Sequence, residues 1–122
     1  MIEENLVARI KTIAANVYPI VAPKAFQRPC VVYNRIGTNQ IRSLDPATGG
    51  DEAAFVTFQI DVYSASFLEA KTLARKIKRN LVVWSEEDVQ TTQYINEVSS
   101  VDNTTETALY RVMTVFEIFC AD

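Results

Sequence analysis

Histidine is missing altogether from the 122 residues, glycine occurs three times, and cysteine only twice. Each scarcity closes off chemistry. Without histidine the chain lacks the commonest general base, the usual hydrolase triads and most zinc sites. The glycines are Gly37, Gly49 and Gly50, which form no phosphate-cradling Walker or dinucleotide pattern. Cys30 and Cys120 make no CxxC pair, so thiol redox chemistry and structural zinc lack their motif. Both sit in apolar, strand-like surroundings and read as reduced, buried small hydrophobes; a disulfide would require adjacent, suitably registered strands. No apolar run approaches the roughly 20 residues of a membrane span. The opening "MIEENLVARI" is acidic and lacks the apolar core of a secretory leader, so a cytoplasmic setting is expected. Basic excess is lacking too: the net charge is −3 and the pI about 5.0. Nucleic acid and membrane surfaces are therefore disfavoured as main partners.

What is present describes a folded scaffold. A composition 48% hydrophobic and 22% charged is ordinary for a globular protein and excludes disorder over the whole length. The length fits a single domain over residues 1–122, with enough burial to form one core unaided. An amphipathic helix is expected at about residues 2 to 17. Leu6, Val7, Ile10, Ile13, Ala14 and Val17 share one face, while Glu4, Lys11 and Ala15 point away. Pro19 is expected to stop it. "YPIVAPKAFQRP" (Tyr18–Pro29) then reads as a stiff, extended connector, because each proline fixes its own φ and disfavours helix before it. "CVVYNRI" (Cys30–Ile36) reads as a strand.

Residues Gly37–Ala53 carry the breakers Gly37, Asn39, Pro46, Gly49 and Gly50 and the charges Asp45, Asp51 and Glu52. They read as a long connection, with "QIRSL" (Gln40–Leu44) a candidate hairpin strand. Connections of this length are commonly functional or disordered. In the next stretch Val56, Phe58, Ile60 and Val62 face one way and Thr57, Gln59, Asp61 and Tyr63 the other, the alternation of a strand with one packed and one part-solvated face. Ser66 and Glu69 make a capping-box pattern at the start of a second helix, whose buried stripe is Phe67, Ala70, Leu73, Ala74, Ile77 and Leu81. Ser85–Asp88 read as a loop, Gln90–Ser100 as a strand, Val101–Glu106 as a polar turn. Thr107–Cys120, apolar on both sides, reads as a strand inside the sheet. The order α-β-(long loop or hairpin)-β-α-β-β implies an α+β fold, two helices on one face of a mostly antiparallel four-stranded sheet.

Neither catalytic residue, cofactor nor metal is expected. Glu86, Glu87 and Asp88 are consecutive and point in different directions, and "DPATGGDE" lacks the alternating oxygen ligands of a calcium loop. Asp61 reads as an outward charge paired across the strand, or as a partner contact. Lys71, Arg75, Lys78 and Arg79 share an arc of about 100° opposite the buried stripe at 3.6 residues per turn. They have no acidic i+4 partner within the helix. That arc is either a solvated helix back or a one-signed surface suited to head-to-tail association with acidic partners.

Two segments together carry a family resemblance. "YPIVAPKAFQRPCVVYNRI" (Tyr18–Ile36) resembles the proline-punctuated segment of the tail completion, or tail terminator, proteins of long-tailed phages and prophages. "FQIDVYSASFLEAKTLARKIKRNL" (Phe58–Leu81) resembles their strand-to-helix segment. The likeness spans nearly the whole chain, although Gly37–Ala53 and Ser85–Asp88 offer nothing to match. It implies a non-enzymatic minor tail protein that caps the tail tube as a ring, commonly a hexamer, ends tail polymerisation and joins tail to head. The implied partners are further copies of the chain, the major tail tube protein and a head–tail connector protein. Membrane and specific nucleic acid are not among them. The implied setting is the bacterial host cytoplasm during assembly and then the virion tail. On this reading the candidate interface residues are Asp45, Asp51, Glu52, Gln59, Asp61, Tyr63, Lys71, Arg75, Lys78 and Arg79, and the loop Gly37–Ala53 is expected to order only against a neighbour or the tube. The alternatives are a ligand-binding or regulatory α+β module, and another phage neck or minor tail protein.

Overall fold

Alternation is the strongest local instruction in the chain, and in the computed structural model it sets the middle strand of a sheet. Residues 2–22, 29–40, 53–86, 89–102 and 109–121 are described. In order they form α1 (Ile2–Lys11), β1 (Val17–Pro19), β2 (Cys30–Gln40), β3 (Ala53–Ser64), α2 (Phe67–Val82), β4 (Val89–Asp102) and β5 (Leu109–Ala121). The strands lie in the order β1-β2-β3-β5-β4. Every pairing is antiparallel except β1 with β2.

The sheet is thus five-stranded and mixed, where four mostly antiparallel strands were expected. The additional strand spans the junction of two expected elements: Val17, expected at the end of the first helix, and Tyr18 and Pro19, expected at the start of the extended connector. That helix stops at Lys11, and the Thr12 hydroxyl folds back to donate to the Arg9 carbonyl at 2.7 Å. Asn16 then ties the chain to the sheet: its side-chain amide donates to the Pro29 carbonyl at 3.2 Å, and its own carbonyl accepts from Val31 N at 2.8 Å. Once held there, β-branched Val17 and pre-proline Tyr18 favour extended backbone. Helical periodicity continued past the point where these tertiary bonds take over.

The core lies between the helices and one sheet face, called inner below. Val56, Phe58, Ile60 and Val62 of β3 are fully buried there, with Val112, Phe116 and Ile118 of β5 and Leu6 and Ile10 of α1. From α2 come Ala70, Leu73, Ala74, Ile77 and Leu81, all buried. Phe67 departs from the expected stripe. It stands at the first helical position, 45% exposed, with its ring in an edge contact to Tyr110 at 6.1 Å.

The capping box is relayed. Ser66 Oγ accepts from Glu69 N, as expected, but the Glu69 carboxylate accepts from the buried Ser64 hydroxyl at 2.6 Å, and Ser66 N donates to that same hydroxyl oxygen at 3.2 Å. At the other end of α2, Arg9 donates to the side chain and carbonyl of Asn80 at 2.9 and 3.1 Å. A cation there satisfies a last-turn carbonyl and complements the helix dipole. Arg9 also lies over the ring of Trp84, which is 1% exposed. Sequence reading left this residue in the exit from the helix, since nothing in "VVWSEE" marks a core residue.

β2 is longer than the expected Cys30–Ile36. A bulge between Arg35 and Gly37 leaves Ile36 without a register partner, and pairing resumes through Gln40. Gly37 and Asn39, read as breakers, therefore lie within a strand; residues 41–52, and with them most of the expected loop and Ile41–Leu44 of the candidate hairpin, are outside the described residues. Cys30 and Cys120 are buried and form no disulfide, as expected. They pair with Tyr63 and Ala54 at opposite ends of β3. Nine residues at about 3.3 Å each separate those rows, far beyond disulfide reach.

Candidate protein interfaces

Both helices lie against the inner face, which leaves the outer face of the sheet for other work. Register assembles that outer face row by row. Phe55 stands opposite Phe119, Thr57 opposite Glu117, Gln59 opposite Val115, Asp61 opposite Met113 and Tyr63 opposite Arg111. Nearly all of these are half-buried. The Phe55 and Phe119 rings stack with centroids 4.7 Å apart. Ile95 and Val98 of β4 and Ile36 of β2 are 47–49% exposed. Apolar side chains on a sheet face with no helix across it among the described residues are what a protein partner would cover.

Gln59, Asp61 and Tyr63 all sit on this face, as expected, but Asp61 is no surface charge. It is 7% exposed and gathers both nitrogen donors of the Arg111 fork at 3.1–3.2 Å, while Gln59 Nε2 donates to its other oxygen at 3.1 Å. Residues 20–22 come over this end of the sheet, lining a cavity of about 220 Å³ with Val32, Tyr63 and Leu109. Arg111 in turn lies 5.9 Å from the Tyr63 ring. Burial raises the Tyr63 pKa above its ordinary value, and the neighbouring Asp61 carboxylate adds to the shift. The pairing across the strand holds, whereas the expected exposure does not. A two-residue alternation places a side chain on a face without showing what crosses that face.

The basic helix face divides in two. Lys71 forms an ion pair with Glu97 of β4, and the Lys78 ammonium lies 4.2 Å from the centre of the Tyr94 ring. Both therefore lean onto the sheet's β4 flank, and the opposite charge missing within the helix is supplied from another strand. Arg75 and Arg79 are exposed, with Lys76 beside them. They make no ion pair among the described residues. Only this second half is a one-signed surface. Asp45, Asp51 and Glu52 fall outside the described residues, so the face they would complete is not defined.

A protein-family model, Tail completion protein gp17, matches residues 5–121. The chain belongs to the tail completion protein family. This is a family of structural phage tail proteins, and the resemblance carried by Tyr18–Ile36 and Phe58–Leu81 falls within the matched span. Among solved structures, a chain from the virion of a native gene transfer agent particle is similar with a TM-score of 0.65 at 20% identity, over 96% of this chain and 84% of that one. Identity that low speaks to the fold alone. No curated protein matches.

For a tail completion protein the informative residues missed by sequence reading are Phe55, Phe119, Val115 and Met113. Phe119, Val115 and Met113 belong to the segment read as apolar on both sides and inside the sheet, which assigns no face to either side, and Phe55 precedes the alternation read from Val56 to Tyr63. The β3 alternation held the signal: pairing β5 against it puts the partners of Thr57, Gln59 and Asp61 on the outer face. Among the described residues, no helix is long and apolar enough to cross a membrane.

Proposed function

We propose that this chain works by self-association as a ring, a hexamer by family resemblance, that caps the tail tube, ends its polymerisation and presents a surface to the head–tail connector protein. Family membership over residues 5–121 is the observation that carries this reading. The layered fold supports it: one sheet face is closed by helices and the other holds an aromatic pair and aliphatic side chains beside the Asp61–Arg111 ion pair and Glu117. Such a surface gains by burial at about 25 cal/mol per Å² of apolar area. The reading carries no catalytic step and places the chain in the host cytoplasm during assembly, then at the tail end of the virion.

Sedimentation over a wide concentration range, alone and with purified tube subunit, tests the proposal. A closed ring, or a ring formed on tube ends that stops their elongation, is the expected result. A chain that stays monomeric and leaves tube growth unchanged at every ratio would falsify it.

A further inference from the structure

The two edges of the sheet are built in opposite ways. One is β1, three residues long and ending at Pro19. Directly after it Ile20 has a φ of 64°, an outlying conformation for a β-branched residue. Ile20 N donates to the Tyr33 carbonyl at 2.8 Å and Val21 N to the Pro19 carbonyl at 2.6 Å, which turns the chain out of the strand's path. A short strand closed by proline is a guarded edge. The other edge is β4, 14 residues paired along one side only, with β5. It contains no Lys, Arg or Pro. Its one interior charge, Glu97, is engaged by Lys71 of α2. Among the described residues, its protection is the pair of bulges at Gln90 and Ile95.

β1 pairs with just Val31–Tyr33 of β2. From Asn34 to Gln40 the far side of β2 has no strand beside it among the described residues. The single charge in that half, Arg35, is held by Glu3 of α1 at 2.7 Å. Direction matters as well. β2, β3, β5 and β4 alternate, so β4 runs opposite to β2. A neighbouring copy in the same orientation would bring β4 antiparallel to β2, the more stable ladder.

We infer that the open edge of β4 pairs with the Asn34–Gln40 half of β2 in a second copy of this chain, continuing the sheet head to tail. The inference rests on the ring reading above and supplies its subunit contact. Pairing of β4 with β4 would join two copies and stop, leaving the β2 half of each uncovered. Head-to-tail pairing uses both edges of every copy, and a heterologous contact of this kind closes into a ring or extends as a filament. The facing segments are rich in Thr, Asn, Gln and Ser, and their interior charges, Arg35 on β2 and Glu97 on β4, are of opposite sign, so the seam sets no like charges against each other.

The test combines crosslinking with edge variants of the full chain. Cysteines are placed singly on β4 (Thr91→Cys, Gln93→Cys, Ser99→Cys) and on β2 (Asn34→Cys, Thr38→Cys, Asn39→Cys), and then in β4/β2 pairs within one chain. Under mild oxidation at least one β4/β2 pair should give a ladder of covalent oligomers that neither single variant gives. Covalent dimers from single β4 variants would overturn the inference in favour of β4–β4 pairing. Ile95→Pro and the double variant Ile95→Lys, Val98→Lys should each raise the concentration for half-assembly about tenfold or more. Unfolding curves identify variants that still fold, and the lysine pair keeps every backbone N–H. Rings that form normally in both, with no β4/β2 crosslink, would overturn the edge contact and leave the ring reading standing. No self-association of the parent chain, alone or on tubes, would overturn both.

Discussion

Along β5 the side chains alternate between two settings, and three residues separate the extremes. Phe116 points inward, fully buried against Tyr94 at 5.4 Å between ring centres. Phe119 points outward, half-buried and stacked on Phe55. Both are phenylalanines of one strand in one sheet, so composition and propensity are matched and only the covering layer differs. The inner face is completed by the chain itself, whereas the outer face, on the proposed reading, is left for a partner. Stability should therefore follow the first and association the second. Phe116→Ala should cost about 3–5 kcal/mol in urea unfolding, through lost burial and the cavity left behind. Phe119→Ala should cost closer to about 1 kcal/mol, chiefly the ring stacking, yet should weaken self-association more than any change it makes to the monomer. Equal losses of stability would break the distinction between the faces.

Asp61 tests the boundary, because it lies on the outer face and is nonetheless buried. Asp61→Ala leaves the Arg111 guanidinium beside an apolar patch without its carboxylate. Removing one member of a fully buried pair costs about 3–5 kcal/mol. Arg111 is 36% exposed, so water recovers part of that, and a loss of about 1–2 kcal/mol is expected. Ser64→Ala comes next, at about 1 kcal/mol. It removes the hydroxyl that links Glu69 to the Ser66 amide. If Ser64→Ala were silent while Glu69→Ala destabilised, the relayed cap would give way to a direct one.

Legibility in the sequence also follows the two faces. The inner side of β3, the α2 stripe from Ala70 to Leu81 and the burial of both cysteines could be read from periodicity, since each answers to contacts the chain makes with itself at regular spacing. Elements held by long-range bonds could not. Asn16 ends the helical continuation by bonding to Pro29 and Val31, Trp84 is buried through Arg9, and Ile36 bulges so that β2 runs on through Gly37. Of the candidate interface, alternation placed Gln59, Asp61 and Tyr63 on the correct side. The partner strand and its Phe119, Val115 and Met113 emerged only from the register. The helix cations misled for the same reason: i+4 spacing inspects one helix, and Glu97 approaches Lys71 from another element.

Charge reversal on the helix back sharpens the comparison from the other side. Arg75→Glu with Arg79→Glu touches exposed residues with no ion pair among the described residues, so unfolding free energy should move by no more than about 0.5 kcal/mol per site. Lys71→Glu should do more, because it opposes Glu97. If assembly weakens with the Arg75/Arg79 pair while stability holds, the helix layer also presents an interface. Unchanged sedimentation at low ionic strength, where charge effects are greatest, would assign those arginines to solvation alone and leave the open sheet and its edge as the associating surface.

The smallest effect expected is a dependence on alkaline pH, and it too separates the faces. Tyr63 lies on the outer side and Tyr94 on the inner; both pKa values are raised, first by burial and then by a carboxylate, Asp61 for Tyr63 and Glu97 for Tyr94. A raised folded pKa means that the folded state holds its phenolic proton longer than the unfolded chain does. Stability from this source is complete below the unfolded value near pH 10 and declines as pH climbs from there through the folded pKa. Tyr63→Phe and Tyr94→Phe should each make the decline above pH 10 shallower than in the parent chain, with parallel curves at pH 7 to 9. Docking at the outer face would bury Tyr63 further and leave Tyr94 unchanged. Association should therefore raise the Tyr63 titration, read as the difference between the ultraviolet titrations of the parent chain and the Tyr63→Phe variant. A Tyr63 titration that does not move on assembly would place the contact elsewhere than the outer sheet.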